Sequence, residues 1–410
     1  MILIDGRTIG PHLSGIGRYT LNLFIGLDAA AAGSPVDHPV KVWMRPEALR
    51  GTLVPEVIKR SAAFELIERE GEPQQWSSLS GGARELRRLG VELIHCPDVF
   101  VPWRTTCRRV VTVHDVIPLV CRGQLKKSRK QKLRGVWRAW MKRQTRQAIR
   151  SGGGVITVSA FSQHDIHRQL GVSKRHLHII PNAPPGNLNA TPGDANGTPG
   201  SDSSQAESAE LMANLGIRGP FILNVGRRDP YKNVDGLVRA FDQLRQRFDD
   251  VPSGLQLVIV GQPDPRYPEA EREAERLGLG DAVVFTDYVS DATLHTLYDH
   301  AALLAMPSLY EGFGLPAVEA MRAGTPVVAG AVASLPEVVG DAALLFDAHR
   351  PDALAEAMHK VLVDHELRAI LRERGLRRAD EFSVAQCGAA HLALYKKLLD
   401  GPRDISAVTA

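Results

Sequence analysis

Glu311 and Glu319 stand eight residues apart in Tyr310-Glu311-Gly312-Phe313-Gly314-Leu315-Pro316-Ala317-Val318-Glu319, with two glycines and a proline between them. Two carboxylates can accept hydrogen bonds from hydroxyl groups, and a glycine turn lets backbone N–H groups come close to a ligand. The preceding Ala302–Ser308 stretch (ALLAMPS) reads as a buried strand, and Pro316 suits the first position of a helix. Glu311 is therefore expected on the loop and Glu319 about one turn into the helix. The N–H groups of Gly312, Phe313, Gly314 and Leu315, with the positive end of the helix, are expected to face the same crevice and to hold an anion or sugar hydroxyls. The same pattern also fits a capped helix carrying Glu in its first turn.

A second cluster follows another apolar strand. Phe221-Ile222-Leu223-Asn224-Val225-Gly226 leads directly into Arg227-Arg228-Asp229-Pro230-Tyr231-Lys232-Asn233. Arg227, a planar fork, and Lys232, a mobile point charge, suit a diphosphate, and Arg228 replaces Arg227 if the strand register differs by one. Basic residues after a strand are also often merely solvated. Taken together, the cations and the carboxylates match a sugar nucleotide: Arg227 and Lys232 for the phosphates, Glu319 for the ribose diol, and Glu311 for the sugar ring or an oxocarbenium-like transition state.

The elements that must position these groups alternate between strand and helix twice over. The first series of strands is Ile2–Asp5, Val40–Met44, Glu92–Cys96, Arg109–His114, Val155–Ser159 and His178–Pro181. The second is Phe221–Gly226, Leu255–Gly261, Val283–Val289, Ala302–Met306, Pro326–Ala329 and Ala343–Phe346. The pattern is that of two α/β, doubly wound Rossmann-like domains with parallel sheets, whose ligands bind at the carboxyl ends of the strands and whose facing edges enclose a cleft. The expected division is an N-terminal domain over 1–183, a flexible linker over 184–208 rich in Pro, Gly, Ser and Asn, a C-terminal domain over 209–383, and a closing helix over 384–400.

Composition agrees with an enzyme of two domains. The chain has 410 residues, 44% of them hydrophobic and 23% charged, too many for one ordinary core. Met1-Ile2-Leu3-Ile4-Asp5 enters a strand at once, so no leader is expected, and no window reaches the length of a membrane span. Cys96, Cys107, Cys121 and Cys387 have no metal-ligand spacing and read as reduced thiols of a cytoplasmic protein. His164-Asp165-x-His167 lies on an expected helix opened by Ser162 with Asp165 as a capping box, and reads as an exposed face rather than a metal site.

Several stretches in this order resemble one family: SGIGRY at 14–19, VHDVIPL at 113–119, VSAFSQHDI at 158–166, IIPN at 179–182, GRRDPYKN at 226–233 and YEGFGLPAVEAMRAGTPVV at 310–328. They resemble the retaining glycosyltransferases of family 4 (glycosyltransferase group 1), which have the GT-B fold, and the resemblance spans nearly the whole chain. It implies a donor-binding second domain, an acceptor-binding first domain and a closing helix that crosses back onto the first. It further implies that His114 contacts the donor sugar and that Gly15 and Gly17 lie near the diphosphate and the acceptor. Val289 and Ser290 would cradle the nucleotide base through backbone groups. By themselves, His114 also reads as a structural hydrogen bonder and the two glycines as an ordinary turn; G-x-G-x-x-G would need glycine at Thr20.

No Asp-x-Asp motif is present, so the expected enzyme needs no metal and no cofactor beyond the nucleoside diphosphate sugar as co-substrate. VHDVIPL and LYEGFGLP look most like mannosyltransferases of polysaccharide and O-antigen (lipopolysaccharide) assembly, which implies GDP-mannose as donor and a growing or lipid-linked glycan as acceptor. Rival readings are a UDP-sugar transferase of the same family, a nucleotide-sugar epimerase on the same architecture, and a non-catalytic glycan or membrane-surface binding protein. Residues 124–150 hold Lys126, Lys127, Arg129, Lys130, Lys132, Arg134, Arg138, Lys142, Arg143, Arg146 and Arg150 with no acidic residue. With Trp137 and Trp140 this segment reads either as a contact for the anionic inner face of the plasma membrane or as a helix whose indoles pack on the first sheet. No nucleic-acid motif accompanies it.

Overall fold

The structure, a computed structural model, describes residues 1–10, 13–33, 38–51, 54, 56–121, 133–184 and 202–401. The described residues fall into two compact units, the first drawn from 1–120, 133–184 and 382–401 and the second from Cys121 and 202–381.

In the first unit seven strands form one sheet: β1 (Ile2–Asp5), β2 (Val40–Met44), β3 (Glu65–Glu68), β4 (Leu93–Cys96), β5 (Arg108–Thr112), β6 (Gly154–Thr157) and β7 (Leu177–Ile179). Their order is β3-β2-β1-β4-β5-β6-β7, and every ladder is parallel. Ile2 is paired with Val40 on one side and with Leu93 on the other. Along β1 the side chains alternate: Ile2 and Ile4 pack with Phe24 and Val42 on one face, and Leu3 with Trp43 and Ile94 on the other. Both faces are thus covered, which is why these strands read as apolar runs rather than alternating ones.

The second unit repeats the arrangement with β8 (Phe221–Val225), β9 (Gln256–Val260), β10 (Val283–Thr286), β11 (Leu303–Met306), β12 (Val327–Gly330) and β13 (Ala343–Phe346). The order is β10-β9-β8-β11-β12-β13, again all parallel. In each sheet the direction of winding reverses beside the first strand of the series, between β1 and β4 and between β8 and β11. Loops leaving the carboxyl ends of those pairs diverge to opposite faces and leave a crevice, the usual ligand position of such sheets.

The expected strands are all present, with ends that match or differ by one to three residues: β5, β6 and β7 begin one residue earlier than expected and β12 runs on to Gly330. The Arg109–His114 strand is β5 and stops at Thr112, and the Val283–Val289 strand is β10 and stops at Thr286. The β3 strand had no expectation, because Glu65-Leu66-Ile67-Glu68 has only two apolar residues and lies at the sheet edge, where flanking charges deter further pairing. Within the segment expected as linker, Asp202–Asn214 is a helix, since its Ala, Glu, Leu and Met favour that state; 185–201 lie outside the described residues. The helix Ala160–Leu170 is capped by Ser159, whose side chain accepts from the Ser162 N–H; Ser162 is inside the helix and does not open it as expected.

The last helix, Val384–Asp400, belongs to the first unit and packs along the helix Gly15–Gly33. Their crossing has no room for a side chain: a Cβ on Gly388 would lie 2.0 Å from the Gly26 carbonyl oxygen. Beneath the crossing runs a row of buried polar groups. Tyr395 Oη lies 2.5 Å from His95 Nδ1, His95 Nε2 lies 2.9 Å from Thr112 Oγ1, and Thr112 Oγ1 lies 3.2 Å from Tyr19 Oη. Tyr19 Oη lies 2.9 Å from His391 Nε2, and His391 Nδ1 lies 2.7 Å from the Cys387 carbonyl oxygen.

Candidate active site

The site-forming loops of the second unit leave β8 and β11 at the reversal. After β8, Gly226 (φ 146°) turns the chain, and Gly261 after β9 comes so close that a Cβ on it would stand 2.0 Å from the Gly226 oxygen. Pro230–Lys232 then form a short 3-10 helix, and Asn233 takes a left-handed conformation (φ 56°) before the helix Val234–Arg247. Two bonds tie this loop to the one after β11: the Leu309 N–H donates to the Tyr231 oxygen at 2.7 Å, and Asn233 Nδ2 donates to the Pro307 oxygen at 3.2 Å.

Those ties bring Lys232 to Glu311. Lys232 Nζ donates to Glu311 Oε1 at 2.6 Å, and Ser308 Oγ donates to the same oxygen at 2.7 Å. Glu311 is buried and Lys232 half-buried, so the pair sits where charges interact more strongly than in water. Ser334 Oγ donates to both the Glu311 and the Phe313 backbone oxygens at 3.0 Å, which fixes the glycine loop from behind. Gly314 (φ 102°) is the N-cap of the helix Leu315–Ala323, and a Cβ there would meet Leu335 Cδ2 at 2.7 Å. Leu315 thus takes the first helical position and Pro316 the second, one residue later than expected. Glu319 follows in the next turn, where Tyr298 Oη donates to its Oε2 at 2.8 Å.

The two arginines differ sharply. Arg227 is exposed, its guanidinium 3.1 Å from Asp229 and 3.6 Å from Asp264. Asp264 is held below the usual carboxylate range chiefly by its hydrogen bond from Arg266, with a smaller contribution from Arg227. Arg228 is buried: it is ion-paired with Glu271, donates to the oxygens of Gly261 and Thr286, and lies over the Phe285 ring at 4.9 Å. It clamps the ends of β9 and β10 together and does not offer the alternative to Arg227 that the sequence left open. Val289, expected at a strand end, lies in the loop between β10 and the helix Asp291–His300, half-buried, with Ser290 as that helix's N-cap.

In the first unit, Gly15 and Gly17 are not in a loop but in the first turn of the helix Gly15–Gly33, where the Gly17 N–H donates to Ser14 Oγ at 3.1 Å. His114 lies two residues past β5. Its Nε2 is 2.9 Å from the Pro97 oxygen at the end of β4, its ring stands edge-to-face with Tyr19 at 4.6 Å, and its backbone oxygen accepts from Ser162 Oγ. Among the described residues no group of His, Cys, Asp and Glu is placed to hold a metal ion. Trp137 and Trp140 pack against Phe100 and join the core of the first unit, so the indoles take the packing alternative. Lys126, Lys127, Arg129, Lys130 and Lys132 lie outside the described residues. No described helix is long and apolar enough to cross a membrane.

Sequence reading missed Ser308, Ser334 and Tyr298. Ser308 lies three residues before Glu311, a spacing that allows a local side-chain bond, whereas Tyr298 and Ser334 reach the site from other elements and leave no local signal.

Comparison with known proteins agrees with this geometry. Two parallel sheets, one of 3-2-1-4-5-6-7 order and one of 3-2-1-4-5-6 order, each with its crevice at the reversal, define the two-domain α/β class to which the GT-B glycosyltransferases belong. Residues 13–183 match Glycosyltransferase Family 4 and residues 208–378 match Glycosyl transferases group 1. An O-antigen chain mannosyltransferase B of Escherichia coli is 31% identical over 97% of this chain and 100% of its own length. Among solved structures, sucrose-phosphate synthase from Thermosynechococcus elongatus superposes with a TM-score of 0.71 at 24% identity, covering 97% of this chain and 98% of that one. Anabaena Alr3699/HepE, solved with UDP-glucose, gives 0.67 at 19% identity, covering 97% and 98%. The chain belongs to the family 4, group 1 glycosyltransferases, has the GT-B fold, and is a glycosyltransferase.

Proposed function

We propose that the protein transfers mannose from GDP-mannose to a growing or lipid-linked glycan of polysaccharide or O-antigen assembly, with an α-linkage and retention at the anomeric carbon. The observation that carries the site assignment is the Lys232–Glu311 contact of 2.6 Å at the carboxyl ends of β8 and β11. It puts a cation and a carboxylate side by side where such sheets bind ligands. Support for mannose comes from the named activity of the Escherichia coli relative that matches along its whole length.

In this reading Lys232, with Arg227, neutralises the diphosphate, and Gly312, Phe313, Gly314 and Leu315 supply N–H groups to donor oxygens. Glu311 receives sugar hydroxyls on the oxygen not used by Lys232 and Ser308. Glu319 takes the ribose diol, and Val289 borders the base. His114 approaches the donor sugar, and Gly15 and Gly17 leave space for the diphosphate and acceptor. The acceptor hydroxyl oxygen bonds to the anomeric carbon as the bond from that carbon to the phosphate oxygen breaks on the same face, and the hydroxyl proton passes to the departing phosphate. No glycosyl-enzyme forms on Glu311, and no metal is required, because fixed cations and helix-terminal N–H groups meet the growing charge. We place the reaction in the cytoplasm, at the inner face of the plasma membrane when the acceptor is lipid-linked.

Glu319→Gln is expected to weaken GDP binding about tenfold, since a charge-assisted bond is worth on the order of 1.5–3 kcal/mol, while the amide oxygen can keep the bond from Tyr298. Isothermal calorimetry that finds wild-type affinity in the folded variant removes the ribose assignment.

The donor itself is tested by thermal shift with GDP, UDP, ADP and TDP and their sugars. A ligand at a hundredfold excess over its dissociation constant stabilises by about 2.7 kcal/mol, which moves the melting point by a few degrees. Selective stabilisation by GDP and GDP-mannose is expected. Selective response to UDP reassigns the donor.

A further inference from the structure

His114 is held in the first unit by two contacts, a hydrogen bond from Nε2 to the Pro97 oxygen at 2.9 Å and the Tyr19 ring at 4.6 Å with an interplanar angle of 82°. A carbonyl oxygen can only accept, so neutral His114 carries its proton on Nε2 and leaves Nδ1 as an acceptor. The hydrogen bond fixes one atom of the imidazole. Tyr19 packs against the ring and keeps it in the plane from which Nε2 reaches Pro97.

Tyr19 is 1% exposed, and its hydroxyl is the middle of the buried row beneath the last helix. The direction of every bond in that row follows from one end. The Cys387 oxygen accepts, so His391 Nδ1 is the donor to it and His391 Nε2 must accept from Tyr19 O–H. Tyr19 Oη then accepts from Thr112 O–H, Thr112 Oγ1 accepts from His95 Nε2–H, and His95 Nδ1 accepts from Tyr395 O–H. This assignment gives each link one proton and leaves both imidazoles neutral.

We propose that Tyr19 is a positioning residue for His114, and that His391, 372 residues away on the last helix, sets Tyr19 in place. The proposal rests on the assignment of His114 to the transfer site. Without the tyrosine ring the imidazole turns about its Cβ–Cγ bond, which carries Nε2 away from the Pro97 oxygen, so that neither the tautomer nor the direction of Nδ1 is held. Misplacement of a reacting or polarising group by about 1 Å can cost on the order of a hundredfold in rate. The missing signal in sequence is plain: Tyr19 and His391 are linked only by the packing of the first and last helices of the unit.

The test uses the full chain with Tyr19→Leu, His391→Leu and His391→Gln, read by GDP-mannose turnover, by GDP affinity and by nitrogen-15 NMR of the histidine side chains. Tyr19→Leu is expected to lower kcat tenfold or more, to leave the GDP dissociation constant within twofold, and to replace the single Nε2–H signal of His114 with an averaged tautomer. His391→Leu should shift both readouts in the same direction. His391→Gln should restore them, because the glutamine oxygen can accept from Tyr19 O–H. A folded Tyr19→Leu that keeps the single tautomer and wild-type kcat overturns the proposal, as does a His391→Gln no better than His391→Leu. If Tyr19→Leu does not fold, the two His391 variants decide. The NMR arm needs no donor: if His114→Ala turns over normally, the assignment of His114 fails while the tautomer change still decides whether Tyr19 orients it.

Discussion

Lys232→Ala is expected to lower kcat by about a hundredfold to a thousandfold while GDP binding changes far less. The charge on the leaving diphosphate grows as the glycosidic bond breaks, so a cation fixed beside it acts mainly on the transition state, where loss of one preorganised donor typically costs about 2.7–4 kcal/mol. The variant also leaves the buried Glu311 carboxylate with Ser308 as its remaining side-chain donor at Oε1, which destabilises the fold independently of catalysis. The double variant Lys232→Ala/Glu311→Gln separates the two effects: it should recover melting temperature without recovering turnover. Steady-state kinetics showing kcat within threefold of wild type for folded Lys232→Ala would mean that the phosphate site lies elsewhere.

The second large effect concerns acid. Burial pushes His391 down to about 4 from an ordinary 6.5, and pushes His95 well below 6.5, with His391 and His114 adding repulsion at His95. The groups facing His391 are Tyr19, Cys387, His95 and Tyr395, all lacking a negative charge at neutral pH because burial raises the two phenols and the thiol. Both histidines are therefore neutral in the folded unit and take up a proton on unfolding below about pH 6.5. The unfolded state binds more protons in that window, so stability is fully present above pH 6.5 and falls as pH drops toward 4. His391 contributes on the order of 1 kcal/mol per pH unit between pH 6 and 5 and about 3 kcal/mol over its whole range, and His95 acts in the same direction. Urea unfolding of the wild-type chain, followed by a probe in the first unit, should show the midpoint dropping over this interval. In His391→Gln, which keeps an acceptor for Tyr19 but cannot titrate, the slope should shrink by about one proton. An unchanged slope would show that His391 is not held neutral.

Much of the architecture was legible because it is local. Each strand of a parallel sheet covered on both faces is a short aliphatic run, and Ile222, Ile259 and Val328 sit within such runs. The glycines and Pro316 marked the strand-to-helix turn, and the order of the motifs identified the family. Strand ends were less legible: β10 stops at Thr286, before Val289, because pairing ends where the neighbouring strand ends, and sequence does not carry that register.

What sequence by itself determined was the repeated α/β pattern, the family, and the residue types gathered at the two crevices. Only tertiary structure decided what each of those residues does. Arg227 and Arg228 are adjacent and chemically identical, yet one is exposed beside Asp229 and Asp264 and the other is buried as a clamp, because consecutive residues leaving a strand point to opposite sides. Lys232 and Glu311 meet because β8 and β11 are neighbours in the sheet although 79 positions separate the pair in the chain. The row from Tyr395 to Cys387 exists because Gly26 and Gly388 let two helices from opposite ends of the chain touch. Periodicity records which face of an element is buried, but the partner it is buried against is set by how the strands are ordered and how closely the helices approach, and those are properties of the packed chain.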